Sequence, residues 1–266
     1  MHAWLEGIGV IGPGLKGWRA SRSVLAGTQP YLHEPVTVAA SDWLPPAERR
    51  RTGTSVRLAL AVGREACEHS GRVPRSLATV FTSSGGDGDN QHAICETLAS
   101  DLRDLSPTRF HNSVHNAPAG YWGVATGAME SSTTLCAYDA SFAAGLIEAM
   151  AWVAVERQPV LLVAYDTPYP EPLRSVRPIV AIFGVAFVLA PARTDRSIAT
   201  LDADVRATGS KADLPVGLAA LCEGVPAARS LPLLCALARA VAAEVSIEYL
   251  DGMSVSAVIE PLRPTD

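Results

Sequence analysis

Apolar and polar residues alternate from Trp4 to Val10 and stop at Gly12-Pro13-Gly14, which predicts a strand closed by a turn. A short helix through Trp18–Leu25 follows. Leu44–Arg51 opens on Pro45-Pro46 and carries Glu48 in its first turn, a helix start. Apolar residues at helical spacing (Val56, Leu58, Leu60, Val62, Ala66) carry that helix on to Gly71. The run Ser76–Thr82 reads as a strand entering the loop Ser83-Ser84-Gly85-Gly86. Gln91–Leu102 reads as a helix with Ile94, Leu98 and Leu102 on one face.

A polar stretch, Arg109–Asn116, leads into the small residues of Ala117–Gly127. Ser131–Ala137 is β-branched and strand-like, Asp139 stands at a strand-to-helix junction, Ala140–Arg157 is a long apolar helix, and Pro159–Tyr165 and Ile179–Ala190 are buried strands. Ile198–Ala207 alternates. Leu214–Leu221 and Leu231–Val245 read as helices, and Ser246–Glu260 as a hairpin around Asp251-Gly252. Strands alternating with helices predict an α/β fold whose central sheet is covered on both faces. The proline-containing segment Asp166–Arg177 reads as a linker between two halves.

Composition narrows the functions. Of 266 residues, 48% are hydrophobic and 18% charged, enough apolar material for a sizeable core and too little charge for a disordered chain. The net charge of −5 leaves no basic excess for nucleic acid. Only Lys16 and Lys211 among the basic residues are lysines. Five dispersed cysteines without a CxxC pair suggest neither a zinc site nor a disulfide framework, and most fall in apolar patterns as small buried residues. The start of the chain lacks a signal-peptide pattern. Ala140–Val155 carries Glu148 after Asp139, and Pro178–Pro191 is too short for a helix to span a bilayer, so a soluble, cytoplasmic protein without a membrane span is expected.

Three motifs invite chemistry. The loop Ser83–Gly88 is glycine-rich, but it lacks the Lys and Ser/Thr of a phosphate loop and carries Asp87 and Asp89 nearby; it reads as a tight strand-to-helix loop beside a pocket. His111 and His115 are spaced for one helix face, but no Glu lies between them as in a zinc hydrolase. They are read as capping or backbone-bonding side chains, with an acid/base role as the alternative and no metal expected. Asp139, between a strand and an apolar helix, is either a cap or a functional carboxylate stabilised at a helix N-terminus.

The block from Arg109 to Met150 resembles the N-terminal half of β-ketoacyl synthases. More narrowly, it resembles short synthase-like proteins, often labelled chain length factors, of bacterial aryl polyene and xanthomonadin-type pigment clusters. The segment Asn116-Ala117-Pro118-Ala119-Gly120 matches the family's Asn-x-x-Ala-Gly, and the family's spacing from Asn116 puts the nucleophilic cysteine position on Asp139. The helix behind it, the strand Pro159–Tyr165 and the Ser83–Gly88 loop fall in step. The resemblance implies a thiolase-like fold with a full N-terminal half (residues 1–190) and a shortened second αβ half (residues 191–266), packed as one unit.

It also implies loss of condensation chemistry. A carboxylate cannot hold an acyl chain as a thioester, Cys136 lies inside the strand, no His follows His115, and Lys211 is the only later lysine. Missing length relative to the family's enzymes is expected to account for the absent histidines and lysine. The resemblance further implies a homo- or heterodimer through Ser131–Ala137, with a ketoacyl synthase and an acyl carrier protein as partners. Asn116, Phe142, Ser84 and Gly85 are candidate pocket residues, and no cofactor is expected. Two alternatives stand beside this: an acyl-thioester-processing enzyme using Asp139 with His111 or His115, and a homodimeric acyl-binding scaffold.

Overall fold

A computed structural model describes residues 1–207, 209 and 213–262. Lys211 lies outside the described residues. In chain order the elements are β1 (His2–Gly12), β2 (Leu15–Lys16), α1 (Trp18–Ala26), α2 (Pro46–Arg49), α3 (Thr54–Ser70), β3 (Ala78–Thr82), α4 (Gly88–Ala99), α5 (Pro107–His111) and α6 (Ala117–Thr126). They continue with β4 (Ser132–Leu135), α7 (Ser141–Glu156), β5 (Val160–Asp166), α8 (Leu173–Val176), β6 (Phe183–Ala190), β7 (Ala199–Ala207), α9 (Leu218–Gly224), α10 (Leu231–Arg239), β8 (Ala243–Glu248) and β9 (Met253–Pro261). The strands form one mixed sheet in the order β4-β3-β5-β6-β1-β7-β9-β8, with β2 paired to β1. β3, β4 and β5 run parallel; the other pairings are antiparallel.

Each central strand sends alternate residues to opposite cores. In β5, Val160, Leu162 and Ala164 join one core with α1, α7 and α10. Leu161, Val163 and Tyr165 join the other, with α3 and α6. Continuous apolar runs are what such two-sided burial requires. From β7 onward the pattern changes: Leu201 and Ala203 are buried, whereas Asp202 and Asp204 face solvent. The central strands are thus covered on both faces, as expected, whereas β7 leaves Asp202 and Asp204 open to solvent on one face. The alternation in Ile198–Ala207 already carried that signal.

α3 approaches β1 closely enough that Gly7 and Gly9 lie under the carbonyls of Ala66 and Val62, where a Cβ would overlap main-chain oxygen. Gly9→Ala is accordingly expected to destabilise the fold by about 1–3 kcal/mol, as overpacking does, measured as a lower urea midpoint at an unchanged slope.

Several boundaries differ from the sequence expectation. The helix predicted over Leu44–Gly71 is two helices: the Thr52 hydroxyl donates to Arg49 O, and an extended Gly53 (ψ 177) restarts the chain as α3. The helix predicted through Val245 ends at Arg239, because Ala240 takes a left-handed conformation (φ 53) and Ala243–Glu248 joins the sheet. α9 starts only at Leu218, after Pro215 and a left-handed Gly217. Along α4, Ile94 is buried, but Leu98 is exposed and Leu102 lies exposed past the helix end. Asp166–Arg177 is not a linker between halves: it begins in buried β5 and leads to β6, the antiparallel neighbour of β5 in the same sheet. Cys67 and Cys235 are buried, with thiols pushed up to about 12 by desolvation, but Cys95 and Cys136 are exposed.

The run Tyr138–Glu156 is long and apolar enough by composition to cross a membrane, but half of it is buried within the fold. Phe142, Leu146, Ala149, Met150 and Val153 supply that buried face. Pro178–Pro191 contains the fully buried strand β6.

Candidate functional site

The parallel strands β3, β4 and β5 end together at Thr82, Leu135 and Asp166, and the loops that follow them gather at that end of the sheet. In open α/β sheets the carboxyl ends of parallel strands are where chemistry collects. Here the gathered segments are the Ser83–Gly88 loop, the junction 136–140, the connection after β5 and the 3-10 turn Pro226–Ser230.

Asp166 ties three of them. Its Oδ1 accepts from Ser84 N (2.8 Å) and Ser84 Oγ (2.7 Å), and its Oδ2 accepts from Ala227 N (2.7 Å). The carboxyl is 3% exposed. Desolvation pushes its pKa up to about 6, opposed by the Ser84 and Ala227 hydrogen bonds and by the nearby Arg177 charge. By sequence alone this residue reads as the start of a linker. The available signal was a carboxylate closing an otherwise apolar strand, a position that needs a partner for the charge.

The glycine-rich loop folds around a side chain rather than a phosphate. A Cβ at Gly85 would overlap Tyr169 Oη, and one at Gly88 would overlap its ring. Asp87 caps α4 by accepting from Asn90 N (3.0 Å) and also accepts from Ser55 Oγ (2.8 Å). The loop is thus built for close packing of Tyr169, itself 8% exposed. Of the two residues proposed from it, Ser84 serves Asp166 and Gly85 makes room for Tyr169.

Asp139 sits in the 3-10 turn Tyr138–Ala140, directly before α7. Tyr138 enters it in the left-handed region (φ 52), a strained conformation for a non-glycine residue. Ser141 Oγ accepts from Ala137 N (3.0 Å) and lies 2.7 Å from Tyr138 O and 3.2 Å from Ser83 O, which fixes the turn.

The Asp139 carboxylate faces two arginines. Arg177 Nη2 lies 2.6 Å from Oδ1, and Arg229 Nη2 lies 3.6 Å from Oδ2. The Arg177 contact is ionic rather than a well-directed hydrogen bond, since that nitrogen has no aligned acceptor. Arg177 also stacks over the Tyr138 ring at 3.6 Å, and Arg229 reaches Glu248 Oε2 at 3.3 Å. Both arginines are mostly covered, with side chains 15% and 20% exposed, against 39% for Asp139. Neither arginine was singled out from sequence, because both come from distant segments that only the fold brings to this turn.

Each of the two histidines has a partner other than Asp139. His115 Nε2 lies 3.2 Å from Leu135 O, which can only accept, so Nε2 carries the hydrogen. The His111 ring meets Tyr121 edge-on at 6.2 Å. Among the described residues neither histidine bonds to Asp139, whose ion-pair partners are Arg177 and Arg229. The expected backbone-bonding role is found at His115 and at Asn112, whose Nδ2 donates to Arg51 O while Oδ1 accepts from Tyr121 Oη. Asn116 heads α6 without a side-chain capping bond and, with His115, Gly120, Ser132 and Thr134, lines an open cleft of about 520 Å³ beside β4. Phe142 is fully buried, 6.2 Å from Phe187, and belongs to the core. The Cys136 thiol donates to Ser84 O at 3.1 Å.

A mixed sheet with three parallel strands ending at one site, backed by a buried helix from the strand-to-helix junction, defines a thiolase-like α/β protein. The family model for the β-ketoacyl synthase N-terminal domain matches residues 18–226. The chain belongs to that family. One similar solved structure is the ketosynthase ApeO in complex with its chain length factor ApeC from Xenorhabdus doucetiae, at 21% identity and a TM-score of 0.74, covering 97% of this chain and 99% of that one. The ishigamide ketosynthase/chain length factor is similar at 13% identity and a TM-score of 0.76, covering 99% and 100%. A type II polyketide synthase complex of an acyl carrier protein with its hexaketide-bound ketosynthase, AntDE:AntF, is similar at 10% identity and a TM-score of 0.74, covering 98% and 99%. At these identities the likeness is one of fold. Comparison with curated proteins found no match.

Proposed function

We propose that this chain is a non-condensing, chain-length-factor-like partner of a true ketosynthase, working with an acyl carrier protein in a polyketide-type pathway of the aryl polyene class, in the cytoplasm. The observation that carries the reading is Asp139. It occupies the strand-to-helix junction where the family resemblance places the nucleophile, and its carboxylate rests against Arg177 and Arg229. A carboxylate held by two guanidiniums is a weak nucleophile, and its acyl product would be a high-energy anhydride rather than a thioester. The acid/base alternative has less support, since His115 is bonded to Leu135 O and His111 packs on Tyr121.

The surface favours assembly. Among the described residues β4 is one of the two edges of the sheet and pairs on one side only, with β3. Exposed apolar residues precede and follow it along the chain: Phe110, Val114, Val124, Met129 and Tyr138. An unprotected strand edge among exposed apolar side chains is suited to a partner sheet rather than to solvent. In this reading the partner forms the bonds, and this chain biases product length.

The condensation question is tested by intact-protein mass spectrometry after incubation with an activated acyl thioester. No acyl adduct is expected within residues 136–141. An adduct on Asp139, or turnover lost in Asp139→Asn, would reject the non-condensing reading.

A further inference from the structure

Pairing of Val160 with Leu189 and of Asp166 with Phe183 places the turn after β6 at the end of the sheet opposite Asp166. There, a cleft of about 760 Å³ opens between α1, the end of α3, the β6–β7 turn and the end of α10. Trp18, Ile198, Leu237 and Pro261 give it apolar walls; Arg22, His69 and Arg193 give it polar ones.

The arginines have little opposing charge. Glu6 is fully buried and committed to Arg72, with Nε at 2.7 Å and Nη2 at 2.9 Å, and to the Thr194 hydroxyl at 2.6 Å. Asp195 also lines the cleft, but it pairs with Arg196 at 3.6 Å. Glu68 is held by Arg64 (2.6 Å), and Glu65 accepts from the main-chain nitrogens of Val10 (2.9 Å) and Trp18 (2.5 Å). Among the described residues, Arg19, Arg22 and Arg193 make no ion pair; Arg193 stands 5.9 Å from the Trp4 ring centroid.

His69 supplies the second observation. Its Nδ1 accepts from Ile8 N at 3.0 Å, which leaves the hydrogen on Nε2. Among the described residues Nε2 has no protein partner, and it is not sealed from the cleft that the ring lines. Burial, followed by Arg19 and Arg22, keeps the imidazole below its usual pKa, so it stays a neutral donor in a positive field.

Unpaired guanidiniums and a tautomer-locked N–H donor beside apolar walls are the parts of an oxyanion site that also grips a hydrophobic group. We propose that this cleft binds a small phosphate-bearing molecule, its phosphate held by Arg22, Arg193 and His69 Nε2–H and its apolar part against Trp18 and Leu237. The site is independent of Asp139 and of the function proposed above.

The probe is inorganic pyrophosphate, titrated calorimetrically into the full chain at constant ionic strength, so that general screening is held fixed. Saturable binding is expected, weakened tenfold or more in Arg22→Gln/Arg193→Gln, both exposed positions whose replacement leaves the thermal midpoint unchanged. In the same titration the His69 Nε2–H proton resonance is expected to move. No saturable binding up to about 10 mM would overturn the proposal. So would equal affinity in the double variant, or binding lost instead in Arg177→Gln/Arg229→Gln.

Discussion

Asp166→Ala is expected to cost the fold about 3–5 kcal/mol at neutral pH, because it strands buried donors at Ser84 N, Ser84 Oγ and Ala227 N and leaves a small void. Asp166→Asn, which keeps one acceptor, is expected to cost less, with its amide set against the Ala227 N–H. The same carboxyl gives a signed pH dependence. Its pKa in the folded state, about 6, lies above the ordinary Asp value near 4 in the unfolded chain. The folded state therefore holds the proton longer. The contribution from this group is fully present below about pH 4, and up to about 3 kcal/mol of it is lost as pH rises through 6. Urea unfolding at a series of pH values from 4 to 7.5 checks both expectations: the wild type carries this slope, and Asp166→Asn flattens it. An unchanged slope would mean that Asp166 is not the titrating group. The site would loosen with the fold, since Asp166 bonds both the β3 loop and the turn that carries Arg229.

Thr134→Pro is expected to weaken partner assembly by about a hundredfold, roughly 2.7 kcal/mol, while the fold itself survives. Ser131 O and Leu135 O accept from Thr79 N and Ser83 N, so alternation turns the main-chain groups of Ser132 and Thr134 away from β3. The N–H removed at Thr134 is one that a partner strand would use and β3 does not. Proline also blocks edge pairing sterically. Sedimentation of the variant with a candidate ketosynthase reads the loss. A fully assembled complex would show that β4 is not the docking strand.

How much of this was legible beforehand depends on the range of the interactions. The buried strands β5 and β6, the apolar helix α7 and the Asp251-Gly252 hairpin came directly from local patterning, because burial on two faces writes itself as unbroken apolar runs. The family, and with it the thiolase-like fold, came from the Asn116–Gly120 segment and its spacing to Asp139. What stayed hidden is non-local. Arg177 and Arg229 are far from Asp139 in the chain, and nothing in their own neighbourhoods marks them as partners of one carboxylate. Asp166 was hidden by its place at a strand end, where a following run of prolines suggested a linker. Helical spacing groups His111 with His115, yet His111 ends α5 while His115 lies in the turn before α6, so the spacing does not describe a shared face. Ala240 shows the reverse error: good helical residues up to Val245 were overridden because Val245 and Ile247 fill the core beneath α10 as strand residues.

The central claim is that the chain works as a non-condensing half of a ketosynthase pair. Native mass spectrometry of the chain co-expressed with candidate ketosynthases tests this most directly. The account predicts a one-to-one complex that assembles equally well with Asp139→Ala, whose loss removes no bond-forming step. A chain that remains monomeric, or that forms only homodimers when the ketosynthase is in excess, would contradict it.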